Sequence, residues 1–118
     1  MKMQLGEIAR VTGAKNDIEQ WATIVFVVTV PLACYQKLAM HYLQKINPKV
    51  VAITGSNGKT TTKDMTAAVL GSQYNMHKTQ ANFNNEIGVP QTILSTEANT
   101  EILVIEMGMD RPSQLKAL

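Results

Sequence analysis

Apolar residues along this chain change their spacing several times, and each change marks a boundary between elements. Leu5, Ile8 and Ala9 share one helical face in residues 5–11, with Gly13 placed to stop the turn. Residues 24–30 are rich in β-branched side chains and predict a buried strand. From Pro31 the period lengthens. Tyr35, Leu38, Ala39, Tyr42, Leu43 and Ile46 follow the i, i+3, i+4, i+7 spacing of a helix, which Pro31 can open and Asn47-Pro48 ends. A continuous apolar run at 50–54 predicts a second, buried strand, then a glycine-bearing loop and a helix to about Leu70, closed by Gly71. Residues 74–77 predict a short strand, 82–88 a polar loop, and Pro90 opens a helix reaching about Ser95. A third apolar strand at 102–105 ends in Glu106, and a final helix is expected to start near Pro112. Strands alternating with helices argue for an α/β fold, a mainly parallel sheet flanked by helices.

Composition narrows the possible functions. A chain of 118 residues has room for one ordinary domain, and 45% hydrophobic with 17% charged residues suits a globular protein. The net charge of +2 comes with dispersed lysines and no basic run, which argues against nucleic acid as a partner. One cysteine, Cys34, leaves no internal disulfide and no cysteine-based metal site, and it suits a reducing cytoplasm. The most apolar stretch, residues 24–34, contains Pro31 and is much shorter than the roughly 20 residues of a membrane span. A cytoplasmic protein without a membrane span is expected.

The chemistry concentrates in Val50-Val-Ala-Ile-Thr-Gly-Ser-Asn-Gly-Lys-Thr-Thr-Thr62. A strand delivers the chain to a tight loop, and a helix begins at Gly58-Lys59-Thr60. Backbone N–H groups at such a helix start converge on one centre, and the macrodipole adds positive potential there. Gly55, Ser56, Asn57, Gly58, Lys59, Thr60 and Thr61 are therefore expected to bind phosphate. Lys59 would reach the terminal phosphates of ATP, and the Thr60 hydroxyl would sit on Mg²⁺. The general P-loop pattern wants glycine at position 53, where this chain has Ile53, so a subtype with a shorter glycine loop is expected. The alternative is a Gly-Lys-Thr triplet at an ordinary strand–helix turn. Glu106, at a strand end, is a candidate second metal-holding carboxylate, or else a surface glutamate. Residues 79–90 place three asparagines and Glu86 before a proline-containing helix, which could also be a plain turn. His41 and His77 lack metal-ligand spacing and read as structural.

Three blocks occur together and in order: Thr54-Gly-Ser-Asn-Gly-Lys-Thr-Thr-Thr-Lys-Asp64, Asn82-Phe-Asn-Asn-Glu-Ile-Gly-Val-Pro90 and Ile105-Glu-Met-Gly-Met-Asp-Arg-Pro112. In these the chain resembles the Mur ligase family of ATP-dependent amino-acid ligases, in particular its members that add D-alanyl-D-alanine to a UDP-N-acetylmuramoyl-tripeptide during peptidoglycan precursor synthesis. Mur ligases lack the first P-loop glycine, which accounts for Ile53. The resemblance implies that the substrate carboxylate takes the γ-phosphoryl group of ATP to give an acyl phosphate. The dipeptide amine then attacks and phosphate leaves.

Carried over by motif, Lys59 and Glu106 become catalytic, Thr60 and Glu106 metal-holding, and Asn82 and Asn85 line the phosphate and substrate side. The resemblance also implies that residues 1–30 are a remnant of the N-terminal uridine-nucleotide domain, most of it deleted near Thr23. Residues 31–118 would be the first, P-loop-containing part of the central ATP-binding domain. A chain of this extent is not expected to complete the reaction, even if it binds Mg-phosphate. The other readings are a non-catalytic nucleotide-binding remnant and a folylpolyglutamate synthase-like ligase.

Overall fold

The computed structural model describes residues 3–13, 15–18, 24–27 and 29–108. Helix α1 (Leu5–Thr12) ends at Gly13, whose φ of 65° permits the left-handed cap and whose N–H returns to the Ala9 carbonyl. Strands β1 (Lys15–Ile18) and β2 (Ile24–Val27) pair antiparallel, with Lys15 opposite Val27 and Ile18 opposite Ile24. The sequence reading has no β1 and runs β2 on to Val30. Instead Val30 is 55% exposed and precedes the first residue of α2 (Pro31–Ile46). Pro31 at that first position lacks the N–H that a helix start would leave unbonded anyway.

The remaining elements are β3 (Lys49–Ile53), α3 (Lys59–Leu70), β4 (Met76–Lys78), α4 (Gly88–Leu94) and β5 (Ile102–Glu106). The last three strands form a parallel sheet in the order β3-β5-β4. Central β5 is buried at all five positions, as its unbroken apolar run requires. Side chains alternate across it. Leu103 and Ile105 join Ala39 and Tyr42 of α2 and Val89 and Ile93 of α4 in the core, while Glu106 faces α3. The Tyr42 hydroxyl donates to the Thr96 carbonyl at 2.6 Å, fixing α2 against the end of α4.

Three further features differ from the sequence reading, among them β4, expected at 74–77 and found at Met76–Lys78. Strand β3 is not buried: Lys49, Val50 and Ala52 are exposed, because it is an edge of the described sheet. Helix α4 begins at Gly88, with Pro90 third in its first turn, where a missing N–H still costs nothing. The supposed deletion near Thr23 and the helix expected near Pro112 lie outside the described residues. Among the described residues, no helix is long and apolar enough to cross a membrane.

Candidate nucleotide-phosphate and metal site

The site is built at the carboxyl ends of two adjacent parallel strands, where open α/β sheets bind ligands. Ile53 closes β3 directly opposite Glu106 of β5, and the Met107 N–H extends the ladder to the Ile53 carbonyl at 2.8 Å. The chain leaves β3 through Thr54, Gly55, Ser56 and Asn57, and turns at Gly58 into α3. Gly58 has φ 75°, a left-handed conformation that a Cβ would strain. The N–H groups of the first turn of α3 have no acceptor within the helix, so they are free to meet an anion there. Ser56, Asn57, Gly58, Thr60 and Thr61 are exposed. Lys59 folds back over the loop and donates from Nζ to the Gly55 carbonyl at 2.7 Å. Its ammonium is thereby held at the loop mouth.

Glu106 is 2% exposed, so it is not the surface glutamate of the alternative reading. The Thr60 hydroxyl donates to its carboxylate, with distances of 3.1 Å to Oε2 and 3.3 Å to Oε1. This pair suits a hard cation. Oxygen ligands at right angles and about 2.1 Å from Mg²⁺ stand about 3 Å apart. Among the described residues no group of three or more His, Cys, Asp or Glu could hold a metal. A cation held by Thr60 and Glu106 alone would leave most of its coordination to water or phosphate.

Three further residues complete the carboxylate's surroundings. Asn84 Nδ2 donates to Glu106 Oε1 at 3.1 Å, and the Gly108 N–H donates to the Asn84 carbonyl at 2.6 Å. Lys63 Nζ lies 3.5 Å from Glu106 Oε2. The buried Thr79 hydroxyl accepts the Glu106 backbone N–H at 3.0 Å. Sequence reasoning did not single out these residues. Lys63 could have been found, since it lies three and four residues past Thr60 and Lys59 on one helical face.

Asn85 Oδ1 accepts the N–H groups of Ile87 and Gly88, at 3.1 and 2.7 Å, and so caps the start of α4. Asn82 is exposed, and Asn84 reaches the Glu106 carboxylate. Away from the site, His77 meets the Ser95 hydroxyl at 3.2 Å, and burial pushes its pKa down. His41 meets Glu7 at 2.7 Å.

A family model of the Mur ligase middle domain matches residues 53–118. The UDP-N-acetylmuramoyl-tripeptide–D-alanyl-D-alanine ligase of Bacillus subtilis is 53% identical over 94 residues, 80% of this chain and 21% of that protein. The Synechocystis ligase of the same name is 43% identical over 113 residues, 96% of this chain and 25% of that protein. Among solved structures, the MurF ligase from Thermotoga maritima in complex with ADP superposes with a TM-score of 0.73 at 35% identity. That match covers 86% of this chain and 24% of the other. The chain thus spans a quarter or less of the length of these relatives. With more than half of its residues matched to that middle domain, the chain belongs to the Mur ligase family.

Proposed function

We propose that this chain supplies the ATP-phosphate and Mg²⁺ half-site of a ligase that joins D-alanyl-D-alanine to a UDP-N-acetylmuramoyl-tripeptide in the cytoplasm. The observation that carries the reading is the approach of the Thr60 hydroxyl to a buried Glu106 beside a glycine loop and a lysine. Gly55, Ser56, Asn57, Gly58, Lys59, Thr60 and Thr61 cradle the phosphates. Lys59 exchanges the Gly55 carbonyl for a phosphate oxygen. Thr60 and Glu106 hold Mg²⁺, which when bound offsets phosphate charge. Asn82 faces phosphate and substrate, while Asn85 holds the loop through α4. Residues 31–118 belong to the ATP-binding domain and 1–30 to the substrate domain. The ADP of the Thermotoga relative and the names of the curated relatives support the choice of nucleotide and substrates.

The activity is tested by a chimera. Residues 31–108 replace the corresponding segment of the Bacillus subtilis ligase, and product is followed with ATP, UDP-muramoyl-tripeptide and D-alanyl-D-alanine. Product is expected, and Lys59→Ala should lower kcat/KM by on the order of 10²–10³-fold, the range for losing one preorganised charge-stabilising donor. A folded chimera that binds ATP but makes no product contradicts the reading.

A further inference from the structure

The side chain of Lys63 is 3% exposed, and a lysine is almost never buried to that degree unless it is paired. Its ammonium is shared between Glu106 Oε2 at 3.5 Å and Asp64 Oδ1 at 3.9 Å. Asp64 is exposed and held more closely by Lys78, at 2.7 Å, so Glu106 is the partner that needs Lys63. A buried carboxylate needs an opposite charge and hydrogen-bond donors to offset its lost hydration, and Glu106 has Lys63 as the charge and Thr60 and Asn84 as the donors.

We infer that Lys63 is a positioning residue, the resident counter-charge of Glu106, and that it makes divalent-cation binding depend on bound nucleotide. The inference rests on the reading of Thr60 and Glu106 as the metal-holding pair. Among the described residues, Lys63 offsets the charge of Glu106, Lys78 that of Asp64, and Lys59 is held at the loop mouth by the Gly55 carbonyl. A bare divalent cation therefore meets a carboxylate whose charge is already balanced by a buried ammonium. It also finds one hydroxyl and one carboxylate already engaged with an ammonium. A cation carried on a nucleoside diphosphate brings both the missing negative charge and the missing oxygens. Lys63 thus keeps Glu106 in place and turns away metal until the phosphates arrive.

The test is equilibrium dialysis of the chain against Mn²⁺, with and without ADP, reading Mn²⁺ retained per chain. The unmodified chain should retain Mn²⁺ with ADP and bind it about tenfold or more weakly without. That factor is the repulsion of a divalent ion by one unit charge about 6 Å away in a water-like dielectric. Lys63→Met and Lys63→Gln should raise ADP-independent Mn²⁺ affinity by about the same factor, while Lys63→Arg should not. A merely structural lysine would leave bare-metal affinity unchanged or lower in all three. Mn²⁺ retention that ignores ADP, or neutral variants that gain nothing, overturns the role given to Lys63. If neither neutral variant folds, Lys63→Ala is put through the same comparison, and a folded variant that gains no bare-metal affinity overturns the role given to Lys63. No retention even with ADP overturns the metal reading itself, and this inference with it.

Discussion

Among single residues, Gly88 shows how closely the asparagine loop is packed. A Cβ there would stand 2.5 Å from the backbone of Phe83, inside any tolerable contact. Alanine is favoured over glycine in a helix by about 1 kcal/mol, but overpacking against backbone costs about 1–3 kcal/mol. The clash wins, because Phe83 cannot retreat without moving the Asn84 and Asn85 contacts on either side of the loop. Gly88→Ala is therefore expected to lower stability by about 1–2 kcal/mol in a urea melt and to weaken nucleotide binding with it. Thr60 and Glu106 were legible in the sequence because each sits at a recognisable element end. Lys63 and Asn84 were not. Lys63 shares a helical face with Lys59 and Thr60, but a lysine inside a helix reads as solvated unless that spacing is followed, and nothing in three clustered asparagines says which one turns inward.

The long, strongly patterned elements were legible: α2, α3 and β5 fall within a residue or so of the apolar pattern. Strand β1 was not, since Lys-Asn-Asp-Ile carries two residues depleted in strands. Its strand form comes from pairing with β2, a non-local cause that no local window contains. Helix α1 is tied to α2 by charge as well as packing. His41 and Lys45 both bond the Glu7 carboxylate, at 2.7 and 2.9 Å. The His41 bond first, and then that of Lys45, pulls the Glu7 pKa from 4.5 down to about 2. A carboxyl whose folded pKa is depressed adds stability that is complete above its unfolded pKa and fades as acid protonates it. The α1–α2 attachment should thus hold above about pH 4.5 and be lost as the pH falls toward about 2. Amide protection in Leu5–Thr12, taken relative to the intrinsic exchange rate at each pH, should fall over that window, and Glu7→Gln should show reduced protection already at neutral pH. Equal protection at pH 6 and pH 2.5 would argue that packing alone holds α1.

For the molecule as a whole, the α/β class and the parallel sheet followed from alternating elements, and a metal role for Glu106 required β5 beside β3, but the place of β4 was not legible. Within the described sheet β5 takes the centre and is buried at every position, while β3, just as apolar after Lys49, stands at an edge with Val50 and Ala52 exposed. This order has a functional consequence. It brings Glu106 beside the end of β3 and so within reach of the loop that β3 launches. The account's central claim is that this juncture binds nucleotide phosphate. The direct measurement is titration calorimetry of ADP with Mg²⁺ into the chain and its Lys59→Ala variant, both shown folded by circular dichroism. A charge-assisted hydrogen bond contributes about 1.5–3 kcal/mol, so the variant should bind about 10–100-fold more weakly. Equal affinity in the two proteins, or no ADP binding by the unmodified chain, would contradict it.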